Sequence, residues 1–230
     1  MKVVLWDIDG TLLSTDGAGR RAVNRAIREV YGVLPNDGHA FDGKTDPLIV
    51  RELMTLAGLT SETIEAGMQA TLDRYVQLLH EELEVSRGRC GLYPGVTEIL
   101  DALEPRDDVL LGLLTGNVYP GAVAKLGAVG IEPRRFKIGA FGSDSGLRPE
   151  LPAIARARAE SYLDHRVAGN DIVIIGDTPA DMSCGNGIGA RAIGVATGRY
   201  TVDDLHACNG AAVFADLSDT AAVMHAIMRG

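Results

Sequence analysis

From Gly91 onward the chain alternates short apolar runs with stretches of helical length, and that alternation restricts the fold more than any other feature. The runs are VLLGLLT (109–115), KIGAF (137–141), DIVIIGD (171–177), ARAIGVA (190–196) and AAVFA (211–215). Helices are expected near 94–103, with Pro94 in the first turn and Val96, Ile99, Leu100 and Leu103 on one face. Others are expected at 120–129, 150–163, 179–187, 202–207 and 219–228. Short apolar strands alternating with helices specify a parallel sheet covered on both faces. KVVLWD at 2–7 is a strand of the same kind, but its partners come after an interval of helical patterning. Val23, Ala26, Ile27 and Val30 share one helical face, as do Ile49, Val50, Leu53 and Met54. Ile64, Met68, Leu72, Tyr75, Leu79 and Leu83 form a longer stripe. The fold expected is α/β: a doubly wound parallel sheet built from residues 1–14 and 88–230, with a helical cap (15–87) inserted after the first strand. Gly17, Gly19, Gly88 and Gly91 mark the two crossings as hinges.

The charge balance narrows the partners. Lys and Arg number 22 against 31 Asp and Glu, a net charge of −9, and no basic stripe is present to bind nucleic acid. No apolar run reaches the roughly 18 residues that a membrane span requires. MKVVLWDIDG does not read as a signal peptide. Cys90, Cys184 and Cys208 are odd in number and widely spaced, matching neither a disulfide framework nor a zinc motif, so a cytoplasmic location is expected.

Three of the expected strands end in a polar residue: Asp7 in DIDGT, Thr115 in LLTGN and Asp177 in GDTPAD. In an open parallel sheet the carboxyl ends share one edge, where ligands bind, so these residues converge. Asp7, Asp9 and Asp177 together repel one another unless a cation lies between them, and an all-oxygen set suits Mg²⁺. A metal beside a Thr hydroxyl and helix N-termini makes a phosphate site. The two-residue spacing lets Asp7 face the substrate while Asp9 bends over it, as a nucleophile and a general acid/base require.

DIDGT (7–11), LLTGN (113–117), GLRPE (146–150) and GDTPAD (176–181), in that order, resemble the four motifs of the haloacid dehalogenase superfamily. VATGRYTVDDL (195–205) is similar to its phosphoglycolate-phosphatase-like branch, and the helical insert sits where that family carries a type-1 cap on its Rossmann-like core. The resemblance implies a phosphatase. Asp7 would take the phosphoryl group as an aspartyl phosphate, and Asp9 would protonate the leaving group and then activate water. Thr115 and the Gly116 N–H would bind phosphoryl oxygens, with Asn117 beside them on the substrate side. Arg148 would stand opposite Asp7. Mg²⁺ would be held by Asp7, Asp177 and the Asp9 carbonyl, with Asp181 in support. The family usually has Lys where this chain has Arg148, and Lys137 is the alternative basic residue. The cap loop FDGKTDP (41–47) would reach the site with Lys44 and Thr45 as specificity residues, while Asp46 caps the helix that Pro47 begins.

The substrate expected is a small phosphorylated metabolite, phosphoglycolate foremost. A sugar phosphomutase shares the motifs. A phosphonoacetaldehyde hydrolase would use Lys44 as a Schiff base, and a catalytically silent phosphate-binding protein would keep only the fold. Asp9 argues against a dehalogenase. DIDG is no calcium loop, since Ala18 stands where a Glu ligand is needed. Gly17-Ala18-Gly19 lies too far from the first strand to bind a dinucleotide. GSDSG (142–146) lacks the central Ser of a serine-hydrolase elbow.

Overall fold

The computed structural model describes residues 1–36, 38–208 and 210–229. In chain order the elements are β1 (Lys2–Trp6), β2 (Leu13–Ser14), α1 (Ala18–Tyr31), α2 (Asp46–Leu56), α3 (Ser61–Val85), β3 (Gly91–Leu92) and α4 (Val96–Leu103). There follow β4 (Val109–Leu114), α5 (Tyr119–Ala128), β5 (Ile138–Ala140), α6 (Leu151–Leu163), β6 (Ile172–Gly176) and α7 (Pro179–Cys184). The chain ends with β7 (Arg191–Val195), α8 (Val202–His206), β8 (Ala212–Phe214) and α9 (Thr220–Met228). Six strands form one sheet in the order β5-β4-β1-β6-β7-β8, every neighbouring pair parallel. This is the doubly wound α/β sheet that the alternation specifies, with β1 at its centre.

The two-residue period of each strand sorts its side chains onto opposite faces. Val4 and Trp6 of β1 join Leu111, Leu113, Val173 and Ile175 in a core covered by α4, α5 and α9. Val3 and Leu5 face the other way, with Leu110, Leu114, Ile172 and Ile174, against α6. Trp6, the chain's one tryptophan, is therefore core.

The helical segment between β1 and β4 has a core of its own. Ala22, Ile27, Val50, Leu53, Ile64, Leu78 and Leu79 pack together, and Val118 joins them from the sheet side. Where the chain leaves and re-enters the sheet unit, β2 and β3 pair antiparallel, Leu13 with Leu92 and Ser14 with Gly91. Among the described residues no helix is long and apolar enough to cross a membrane.

Two helix boundaries differ from the sequence reading. Pro94 lies outside α4, which starts at Val96 behind Gly95; that glycine has φ +81°, and a Cβ there would collide with the Leu217 backbone. Tertiary contact, not the proline, sets this boundary. The segment 179–187 is helical only to Cys184 and continues as a 3-10 turn, Asn186–Ile188.

Leu79 is fully buried in the helical core. Leu79→Ala is expected to cost about 2–5 kcal/mol of stability, through lost apolar transfer and the cavity left behind. Denaturant unfolding checks this; a change below ~1 kcal/mol would mean that the helical core collapses to fill the void.

Candidate active site

The parallel register brings the carboxyl ends of β1, β4 and β6 level. Trp6 pairs with both Leu113 and Ile175, so the residues that follow each strand emerge at one edge. Asp7 donates its N–H to the Ile175 carbonyl at 2.9 Å, and Thr115 donates its N–H to Ala140 at 3.0 Å. The turn after Asp9 passes through Gly10 at φ +85°, and a Cβ there would run into the Asp177 carboxylate. Only glycine lets the two loops approach so closely.

Asp7, Asp177 and Asp181 are all buried, and one carboxylate oxygen from each lies within 4.8 Å of the others. Arg148, also buried, places Nη2 3.1 Å from Asp7 Oδ1 and in a shorter ion pair with Asp181 Oδ1. Asp181 completes a capping box at the start of α7, accepting from the Thr178 hydroxyl at 2.6 Å and the Thr178 N–H at 3.1 Å. Thr11 donates to Asp177 Oδ1 at 3.1 Å.

Burial pushes the Asp7 carboxyl up to about 7, against the pull of Arg148 and with Asp181 and Asp9 adding repulsion. Burial, followed by the charges of Asp181 and Asp7, pushes Asp177 up to about 9; Thr11 opposes it. Three buried carboxylates face one guanidinium, so two negative charges stand uncompensated when all are ionised. Hard oxygen donors in that balance match a divalent cation, which would be held by Asp7 and Asp177.

The Asp9 carboxylate lies outside this cluster. It accepts from Lys125 Nζ at 2.8 and 2.7 Å and from Asn117 Nδ2 at 2.8 Å. Asn117 Nδ2 also donates to the Thr115 hydroxyl at 2.8 Å. Asp7, Asp9, Thr115, Gly116, Asn117, Arg148, Asp177 and Lys44 all line one cavity of about 250 Å³. Thr45 does not. It is fully buried, capping α2 through the Leu48 N–H and donating its hydroxyl to the Gly146 carbonyl at 2.7 Å. Asp46, expected to cap α2, instead reaches across to α5 and accepts the Val118 N–H at 2.8 Å. Burial raises Asp46 to about 6, opposed by Lys125 and that N–H. The Asp46 N–H donates to the Gly116 carbonyl at 2.8 Å, and a Cβ on Gly116 would collide with the Lys44 backbone. The insert loop is thus bonded to the loops after β4 and β5.

Lys44 reaches the cavity wall, but its ammonium is bound to Glu52 at 2.5 Å and lies 3.2 Å from His39 Nε2. An amine so engaged is poorly placed for Schiff-base attack. Lys137 lies elsewhere, bonded to the Arg134 carbonyl. Sequence reading passed over Lys125, Arg20 and Tyr75, which also line the cavity. Lys125 left a signal: it shares a helical face with Ala122 and Leu126, where a lysine is out of place. Tyr75 is 1% exposed, and its hydroxyl has no hydrogen-bond partner among the described residues.

A central parallel sheet thus carries a cluster of buried carboxylates at its carboxyl edge. The model of the haloacid dehalogenase-like hydrolases matches residues 4–186, and the chain belongs to that family. It is similar to a curated protein of Dickeya dadantii named "Probable phosphatase IndB", at 25% identity over 99% of this chain and 95% of that one. It is also similar to the N-acetylmuramic acid 6-phosphate phosphatase of Pseudomonas aeruginosa, at 23% identity over 94% of this chain and 91% of that one. A solved hydrolase from Pseudomonas syringae shares the fold at a TM-score of 0.74 and 19% identity, each chain fully covered.

Asp7 and Asp177 hold their protons more tightly folded than unfolded, so their burial favours the folded state fully only below about pH 4, near the unfolded carboxyl value. That contribution is lost as pH rises through about 7 and then about 9. With chelator present, the melting temperature is expected to fall between pH 6 and 9 through this contribution. Added Mg²⁺ should restore it, by an increment that grows with pH because the cation competes with protons. Thermal unfolding across that range is the measurement; an increment independent of pH would count against the carboxylate cation site.

Proposed function

We propose that this hydrolase is a Mg²⁺-dependent phosphatase for a small phosphate monoester, working through an aspartyl phosphate on Asp7. The observation that carries the reading is the buried, mutually repelling pair Asp7 and Asp177, set opposite Arg148 at the edge of a cavity that also holds Asp9 and Thr115. Mg²⁺, when bound by Asp7, Asp177 and the Asp9 carbonyl, supplies charge neutralisation for the phosphoryl oxygens. The chain's residues supply the rest. Asp7 attacks phosphorus, and the ester P–O bond breaks as the leaving oxygen takes a proton from Asp9. Asp9, now a carboxylate, takes a proton from the water that attacks the phosphorus, and the bond from phosphorus to the Asp7 oxygen breaks. Thr115 and the Gly116 N–H hold phosphoryl oxygens, and Arg148 offsets the charge that develops.

The cavity size and wall favour a short, anionic leaving group such as that of phosphoglycolate. Arg20 brings positive charge to the side formed by the insert, where the Lys44 ammonium is already paired with Glu52. Arg20 donates to the His39 carbonyl at 2.8 Å and lies over the Phe41 ring, 3.8 Å from its centroid. The Tyr75 hydroxyl on the same wall is a donor that substrate can satisfy. The insert, docked by Asp46 and Thr45, excludes water from the aspartyl phosphate as it forms.

Phosphate release from a panel of small monoesters, with and without Mg²⁺, tests the reading. Wild-type protein should release phosphate only with the metal, phosphoglycolate ranking high. Asp7→Asn should lower kcat by at least ~10⁴-fold, as loss of a covalent nucleophile does. Metal-independent release, or release that survives Asp7→Asn, would overturn it. Tyr75→Phe removes a buried hydroxyl without a partner, so stability should hold or rise by up to ~1 kcal/mol. If the hydroxyl meets substrate, KM rises ~3–10-fold, a span matching one modest hydrogen bond, with little change in Tm. An unchanged KM would exclude that contact.

A further inference from the structure

We infer that Lys125 is the positioning residue for Asp9, holding the half-exposed acid/base in register with Thr115 so that it delivers a proton to the leaving oxygen. This rests on the phosphatase reading above.

Lys125 stands on the buried face of α5, between the fully buried Ala122 and Leu126, and its side chain is only 6% exposed. A lysine is kept there only if its ammonium is fully partnered. Its three protons match three acceptor contacts: Asp9 Oδ1 at 2.8 Å, Asp9 Oδ2 at 2.7 Å and Asn117 Oδ1 at 2.6 Å. The Asn117 amide is equally committed, donating to Asp9 Oδ2 and to the Thr115 hydroxyl, each at 2.8 Å. Thr115, Asn117, Asp9 and Lys125 therefore form one closed network, with no ammonium proton left for substrate.

Asp9 does not need this network for solvation. Its side chain is 43% exposed, so water can serve the carboxylate. The bidentate lysine contact supplies orientation instead, fixing the plane of a side chain that would otherwise rotate. A displacement of about 1 Å in a reacting group costs on the order of 10²-fold in rate. The insert makes room for the arrangement. A Cβ on Gly19, in the first turn of α1, would lie 3.2 Å from Lys125 Nζ. That glycine spares space for the ammonium on the insert side of the cavity.

Leaving-group dependence tests the inference, because a nitrophenolate departs without a proton and an alkoxide does not. Wild type and Lys125→Met, with Mg²⁺ supplied, are compared on para-nitrophenyl phosphate and on phosphoglycolate, alongside Tm. The expected Lys125→Met protein keeps its burst of nitrophenolate within ~3-fold of wild type. Single-turnover cleavage of phosphoglycolate, and steady turnover of both substrates, should fall ~10–100-fold, the lower part of what general acid/base catalysis contributes. Equal slowing of both first steps, or slowing of neither, would overturn the positioning role. If Lys125→Met does not fold, Gly19→Ala takes its place. It crowds the ammonium without removing it and should give the same selectivity at ~3–10-fold, set by a shift of a few tenths of an ångström. An effect equal on both substrates, or none, overturns the role there too. Wild-type protein that cleaves neither these substrates nor any other monoester of the panel would remove the phosphatase reading itself, an outcome distinct from loss of selectivity in an active enzyme.

Discussion

Three buried carboxylates opposed by one buried guanidinium are the constraint around which the rest of the site is arranged. Burying Asp7, Asp177 and Asp181 within 4.8 Å of one another is costly in free energy, and Arg148 offsets only part of it. The structure shares the remainder among several devices. Thr178 and the first turn of α7 hold Asp181, Thr11 holds one oxygen of Asp177, and Asp7 and Asp177 are pushed toward their protonated forms. A site so charged is poised for a cation and for the phosphoryl group that a cation brings with it. The parallel sheet makes this possible. Its core is packed on both faces, so it can carry repulsion at one edge that a looser scaffold would relax.

The second basic residue of the site serves a different carboxylate. Arg148 belongs to the carboxylate cluster of Asp7 and Asp181, whereas Lys125 belongs to Asp9 and Asn117. The division separates two tasks that need different environments. On the reading proposed above, Asp7 as nucleophile needs to be desolvated and close to a cation, while Asp9 as acid/base needs contact with water and with the leaving group. Asp7 is 6% exposed overall, and the Asp9 side chain is 43% exposed. Two carboxylates two residues apart are thus given different surroundings by the turn at Gly10.

The insert is bound to the sheet unit by buried, backbone-directed hydrogen bonds, with the exposed ion pairs Arg199–Asp42 and Arg89–Asp16 added at the surface. Asp46 accepts from Val118, its N–H donates to Gly116, and Thr45 donates to Gly146. All three meet loops that follow β4 or β5, so the position of the insert is tied to the loops that carry Thr115 and Asn117. Asp46 takes the N–H of Val118 at the start of α5, where a carboxylate is favoured. Buried bonds of this kind are directional and little screened by salt.

Much of the architecture was legible in the chain alone, because apolar period and strand-end polarity are local properties. The runs at 2–7, 109–115 and 171–177 each became a parallel strand, and Asp7, Thr115 and Asp177 stand at their carboxyl ends. What the sequence by itself determined was the α/β class, the helical insert and the set of acids and hydroxyls at one sheet edge. Only the tertiary structure decided the strand order with β1 at the centre, the start of α4 behind Gly95, and the turning of Asp46 and Thr45 away from the roles their positions suggested. It alone joined Lys125 to Asp9 across 116 residues and placed Tyr75 of α3 on the same cavity. The reason is physical: periodicity records which face of an element is buried, whereas the partner of a buried polar group depends on where other elements come to rest.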